Sequence, residues 1–251
     1  MPDRTAGLLA SALAAAADLV LPGGCAGCDG ASGQPLRRGV CRACVDSVSA
    51  LRPHRTCPDP APEGLPPCAA LGDYDGVLRQ LILAYKDRGR HPLGRPLGRL
   101  LAQVVASLVT GPALLVPVPD SAPAARARHG DHLWRLARPA AAWLRAAGHE
   151  VVLARPLRAR PRPDSAGLDT RRRAAQATGA FRVRPLRVAG ARRWLERTGA
   201  PVILLDDVIT TGATLTAVAA RLDAAGLPVA GAAVLAATRR IHPVAGDLTA
   251  R

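Results

Sequence analysis

Aromatic side chains are scarce in this 251-residue chain, which holds one Phe, two Tyr and three Trp. A core has to be filled by Ala, Leu and Val instead, and a 49% apolar content allows a sizeable one. A groove that grips single-stranded nucleic acid by stacking successive bases is disfavoured for the same reason. Lysine is rarer still: Lys86 stands alone, so the formal net charge of +15 is almost wholly arginine. An Ala- and Arg-rich chain with one lysine reflects codon bias as readily as function, and the charge alone identifies no nucleic-acid binder. No apolar run reaches the length of a membrane span; Leu8 to Leu21 comes nearest but falls short and contains Asp18. A secretory signal would want a positive start, whereas Asp3 sits beside Arg4. Leu21 is one place too far from Cys25 for a lipoprotein cleavage signal. A short helix leading into the next motif, and a cytoplasmic protein, are the expectations.

The charge is unevenly spread. Arg155 to Arg197 holds thirteen arginines against Asp164, Asp169 and Glu196, a local net of +10. Beside a phosphate site such a block would steer anionic ligands or nucleic acid; otherwise it is a solvated face.

Three zones follow along the chain. Residues 1–70 carry all six cysteines and end in a stretch rich in proline (Pro53, Pro58, Pro60, Pro62, Pro66, Pro67), which reads as a linker. Residues 71–251 alternate helical periodicity with short apolar runs. Leu93, Leu97, Leu100, Leu101, Val104, Val105 and Leu108 share one helical face. Leu114 to Val118, Val151 to Leu153, Pro201 to Leu205 and Val229 to Ala236 read as strands. Helices are expected over His132 to Ala147, with Pro139 as a break or kink, and over Thr214 to Ala225, closed by Gly226. This alternation predicts an α/β fold: a mostly parallel sheet with crossover helices.

The most informative run is Val202 to Thr214. A buried strand delivers Asp206 and Asp207 to the carboxyl edge of the sheet, where open α/β folds bind ligands. The turn Thr210-Thr211-Gly212-Ala213-Thr214 then opens a helix. Its backbone N–H groups and dipole suit a phosphate monoester, with three threonine hydroxyls beside them. The carboxylates upstream suit a ribose diol or a magnesium ion. Capping threonines on a plain strand-turn-helix are the bland alternative, but adjacent acids on a buried strand serve stability poorly.

Cys25-x2-Cys28, twelve residues, then Cys41-x2-Cys44 has the spacing of two zinc knuckles. Four thiolates on two turns close a tetrahedral shell around a structural zinc; two disulfides compete, and would need an oxidising compartment. Cys57 and Cys68 lack such partners and read as a decayed second site or buried thiols. His54 reads as a surface residue.

The Val202–Thr214 pattern resembles the signature by which type I phosphoribosyltransferases bind phosphoribosyl pyrophosphate (PRPP). Three more segments are similar to the ComF family: Tyr74 to Ile82 followed by Ala84 to Gly89, Leu115 to Pro119, and Asp164 to Leu168 with Arg173 and Gly179-Ala180-Phe181. With the cysteines, these cover most of the chain. The resemblance implies a type I phosphoribosyltransferase-like domain behind a small four-cysteine zinc module. PRPP and magnesium would be held by Asp206, Asp207, Thr210, Thr211, Gly212, Ala213 and Thr214, and an unknown nitrogen acceptor would take the phosphoribosyl group. Asp206, Asp207 and Lys86 would carry catalysis, with Lys86 reaching the pyrophosphate from a mobile loop; the alternative for Lys86 is a solvated surface residue. Arg126 and Arg128 are weaker candidates for that task. Thr210 replaces the aspartate of purine-salvage members, so purine acceptors are disfavoured. ComF proteins include members needed for DNA uptake, so a PRPP-binding but non-catalytic protein that contacts single-stranded DNA or competence proteins is the rival expectation. The family's Arg-Gly-Phe-Asn-Gln-like motif is here Arg126 to His132, and an expected Asn appears as Gln176. The oligomeric state is left open.

Overall fold

Eight strands and six α-helices build the part of the chain that the computed structural model describes, residues 24–30, 36, 38–120, 130–160 and 180–238. The expected helix over Leu8–Leu21 lies outside the described residues. So do Arg126, Arg128, the segment from Asp164 through Arg171, Arg172, Arg173 and Gln176, and Gly179.

The strands are β1 (His54–Thr56), β2 (Cys68–Asp73), β3 (Ala113–Pro117), β4 (Val151–Leu153), β5 (Leu157–Ala159), β6 (Phe181–Val183), β7 (Val202–Ile209) and β8 (Val229–Ala237). The helices are α1 (Arg42–Ser49), α2 (Gly76–Lys86), α3 (Gly94–Leu108), α4 (His132–Ala146), α5 (Pro185–Thr198) and α6 (Ala213–Asp223). One sheet runs in the order β1-β2-β8-β7-β3-β4, and β5 pairs with β6 in a separate ribbon. Every pairing in the larger sheet is parallel except β1 with β2. The expected α/β architecture, a mostly parallel sheet with flanking helices, is therefore present.

The central strands are apolar on both faces, as parallel strands covered by helices must be. Leu114, Leu115, Leu204, Leu205, Ala232 and Val234 are all fully buried. Helix α3 buries Leu97, Leu101, Val104 and Val105 on the face expected from their spacing. It packs against β8, β2 and α4. The contact with α4 is so close that a Cβ on Gly98 would lie 2.7 Å from Pro139 Cγ and 2.8 Å from the Leu136 carbonyl oxygen. Helix α4 continues through Pro139, so the proline does not break it.

Two differences from the sequence reading matter for the site. The proline-rich stretch is more than a linker, because β1 and the start of β2 belong to the large sheet and the expected boundary at residue 70 falls inside β2. Backbone pairing recruited residues whose composition signalled only a loop, and β1 forms the sheet's edge, where nearby prolines are tolerated. Strand β7 also runs further than Leu205, carrying both aspartates and ending at Ile209.

Candidate functional site

Alternation along β7 sends adjacent side chains to opposite faces, so Asp206 and Asp207 meet different surroundings. Asp207 is buried, with 4% of its surface exposed. Its Oδ2 receives Lys86 Nζ at 2.6 Å and His132 Nε2 at 3.0 Å. The other ring nitrogen of His132, Nδ1, donates to Asp120 Oδ2 at 2.6 Å, and the His132 backbone N–H donates to the same oxygen at 3.1 Å. Both imidazole nitrogens thus face acceptor oxygens, an arrangement that requires both to carry protons.

The electrostatics agree. Burial by itself would depress His132, but hydrogen bonds to Asp120 and Asp207 raise it to about 9, so the ring is an imidazolium at neutral pH. For Asp207, burial pushes the other way, yet the hydrogen bond from His132 and the Lys86 ammonium hold its carboxyl well below the usual carboxylate range. Asp206 is partly exposed, and its Oδ1 accepts the Asp207 backbone N–H at 2.9 Å. Desolvation, then the charge of Asp207, push Asp206 up to about 8. The two neighbouring acids are therefore unlike: at neutral pH Asp207 is the charged one, clasped by two cations, and Asp206 keeps its proton.

Lys86 departs from expectation. It is the last residue of α2 rather than part of a loop, and its ammonium reaches Asp207. Tyr85 before it is a buried packing residue; its hydroxyl donates to the His132 carbonyl oxygen at 2.6 Å and so ties α2 to the start of α4.

Beyond β7 the chain makes the turn expected of it. Thr210, Thr211 and Thr214 are exposed, and Gly212 precedes the first residue of α6, Ala213. Gly212 has φ +74°, and a Cβ there would come within 2.9 Å of Leu65 Cδ1 and 3.3 Å of Pro58 Cγ. Left-handed backbone and close packing both demand glycine at this point. Beside Thr210 opens a cleft of about 430 Å³, lined also by His54, Arg55, Cys57, Asp59, Asp73 and Thr238.

The cysteine knuckle forms as its spacing predicts. The sulfurs of Cys25, Cys28, Cys41 and Cys44 all lie within 4.8 Å of one another. The Cys28–Cys41 separation is 3.9 Å, close to the roughly 3.8 Å between thiolates bound tetrahedrally to zinc at about 2.3 Å. Cys25 Sγ accepts the N–H groups of Cys41 at 3.2 Å and Gly27 at 3.4 Å. Burial raises the Cys25 thiol, but these amides outweigh it and bring it down to about 6. None of the six cysteines is in a disulfide. Four converging thiols fit a zinc ion well, and they are the one such group of three or more metal-type ligands among the described residues. Cys68 is a buried thiol pushed up to about 12 by burial and, behind it, Cys57, and it donates to the Pro66 carbonyl oxygen at 3.1 Å. His54 is exposed, as expected.

The knuckle leans on the helix that carries Lys86. Arg90 donates to the Gly24 carbonyl oxygen at 2.9 Å, and a Cβ on Gly27 would come 3.0 Å from Val77 Cγ1. Sequence reasoning missed His132 and Asp120. Asp120 follows the Val-Pro-Val-Pro strand end directly, and Asp131 before His132 is a legible N-cap, accepting from Trp134 N at 2.8 Å. Nothing in the local sequence says that the histidine would meet Asp207, 75 residues on.

No protein-family model matches the chain, and no curated protein matches it. Among the described residues, no helix is long and apolar enough to cross a membrane.

Proposed function

We propose that this chain is a phosphoribosyltransferase of the ComF type, binding PRPP at the end of β7 and transferring its phosphoribosyl group to a nitrogen acceptor. The observation that carries the reading is the succession along one stretch of chain. A buried parallel strand carries Asp206 and Asp207 and ends at Ile209, a glycine-pinned threonine turn follows, and α6 begins at Ala213. Ligands of open α/β sheets bind at that edge.

In this reading the 5-phosphate sits against Thr210, Thr211, Thr214 and the first N–H groups of α6, where the helix dipole favours an anion. Asp206, partly exposed, faces the ribose diol. Magnesium would supply charge neutralisation of the leaving pyrophosphate. Of the two adjacent acids Asp206 is the one with room for it and would give up its proton to the ion, since Asp207 is already held by Lys86 and His132. The described residues offer no cluster of carboxylates for a magnesium of their own, so the ion would come on the oxygens of the substrate. His132 joins Asp120, three residues past β3, to Asp207, two residues before β7 ends, and so fixes the distance between the two strand ends that PRPP would bridge. The bond from the acceptor nitrogen to C1 forms as the C1–pyrophosphate bond breaks, and the nitrogen's proton leaves to solvent. Positioning and charge stabilisation carry the rate. Lys86 would have to turn from Asp207 to pyrophosphate or share its three N–H donors between them.

That last requirement favours a second reading, in which the chain binds PRPP without transferring it and serves DNA uptake. Calorimetry with PRPP and Mg²⁺, alongside pyrophosphate release with a panel of nitrogen nucleophiles, tests both. Binding that weakens at least tenfold in Asp206→Asn supports the site; release of pyrophosphate selects the first reading, and binding without release the second. No heat of binding overturns both.

A further inference from the structure

The ribbon of β5 and β6 sorts its side chains by chemistry. Leu157 and Phe181 are buried, and Ala159 and Val183 lie partly covered on the same side. On the other side stand Arg158 and Arg182, direct cross-strand partners. Arg160 N donates to the Ala180 carbonyl oxygen and Arg184 N to that of Pro156, which extends the register and places Arg160 and Arg184 on the same side. Like charges set opposite one another on an antiparallel pair destabilise it. A ribbon face of four arginines is thus a cost that an anion would remove.

Composition could account for arginines on an exposed ribbon, but not for where these ones lie. They line a cleft of about 450 Å³ shared with Pro119 and Asp120, at the end of β3, and with Arg155. The Arg155 guanidinium is set in advance: it is ion-paired with Asp131 and lies 4.8 Å over the Trp134 ring. Asp120 is the residue that holds His132, so the cleft opens onto the same charged cluster as Asp207. Among the described residues, no acid forms an ion pair with Arg158, Arg160, Arg182 or Arg184.

We propose that this cleft binds a small polyanion, a molecule with two or more carboxylate or phosphate groups, as the ligand that meets PRPP. Its role as the acceptor rests on the phosphoribosyl reading; its ability to bind an anion does not. The volume is that of a small-molecule site. Among the described residues no aromatic side chain lines the cleft, so a single strand would find no stacking platform on them.

The test is titration of the full chain at low salt with citrate, for carboxylates, and with tripolyphosphate, for phosphates. One molecule of at least one of them should bind per chain, and Arg158→Gln/Arg182→Gln should weaken it at least tenfold. Arg160→Gln/Arg184→Gln is the second variant and should do the same; all four side chains lie on the ribbon's uncovered side, so folding is spared. Whichever probe responds identifies the anion's chemistry. Failure of both probes to bind, or binding that neither variant weakens, overturns the proposal. So does a twenty-residue oligothymidylate that binds far more tightly than either probe and is the one ligand the variants lose. PRPP is titrated separately, so the two readings can fail independently. Binding of either probe without PRPP binding sinks the phosphoribosyl reading and leaves the cleft, and PRPP binding with neither probe bound sinks the cleft.

Discussion

The cysteine knuckle and the carboxylate edge of β7 are both clusters of ionisable side chains, yet they are assembled in opposite ways. The knuckle draws four thiols from residues 25–44, two on a turn and two at the start of α1, so the chain's own stiffness brings them together. The edge draws Lys86, Asp120, His132 and Asp207 from four separate parts of the fold, and only sheet order and helix packing make them neighbours. A local cluster of like groups needs a cation to hold it. A long-range cluster of unlike groups holds itself, and removing one member strands the others.

The largest effect should come from breaking up the four-thiol site, which fits a zinc ion. Structural zinc contributes an apparent 10–16 kcal/mol or so to small knuckles at neutral pH. Cys25→Ser/Cys44→Ser should therefore lose about one zinc per chain by elemental analysis. Its melting temperature in scanning calorimetry should fall by roughly 10 °C or more, at about 2–4 °C per kcal/mol for a chain of this size. Wild-type protein that carries no zinc would end the distinction, because the thiols would then hold together without a cation.

Next comes Asp207→Ala, which leaves the Lys86 ammonium and the His132 imidazolium facing each other without their shared acceptor. Breaking a buried pair in this way costs about 3–5 kcal/mol, to be read from the urea midpoint. A loss under about 1 kcal/mol would mean that the edge is no self-supporting cluster.

Titration separates the two regions further. His132 lies at about 9 in the folded chain against 6.5 for a free histidine. Its stabilisation is thus fully present below pH 6.5 and lost as pH rises through about 9. Asp206, held at about 8 against 3.8, has the same sign, since the folded chain keeps this proton to higher pH than the unfolded chain does. Between pH 6.5 and 9.5 the His132 proton alone should cost on the order of 3 kcal/mol of stability, with Asp206 adding to the fall, and His132→Ala should leave a shallower profile. A profile as steep in the variant as in the wild type would remove His132 from the cluster.

The smallest change probes the packing that joins the edge's helices. Gly98→Ala would force a methyl group against Pro139 and the Leu136 carbonyl, at about 1–3 kcal/mol of overpacking. Chemical denaturation should show it without any loss of zinc, and a neutral result would mean that α3 and α4 can part freely.

How much of this was legible depends on range. The knuckle was legible because its spacing is its geometry. The threonine turn was legible because Gly212 and the residues around it meet within a few positions. His132 was hidden: a histidine one place past an N-cap looks like any first-turn residue until a strand 75 positions later comes up beside it. Lys86 was noticed for its rarity, but its helix and its partner were not, because α2 is positioned by contacts with the knuckle and with α4. The proline-rich stretch concealed β1 because an edge strand needs few of its amides and so tolerates the residues of a loop.

Taken alone, the order of residues determined what short-range sterics and hydrophobic alternation control: buried strands, amphipathic helices, a left-handed glycine, four thiols on two turns. Tertiary structure alone decided which aspartate would be charged, where the lone lysine would place its ammonium, and that four arginines would share one cleft. Charge states and ion pairs depend on desolvation and on distances of a few ångströms, and residues far apart in the chain acquire those only when the sheet closes around them.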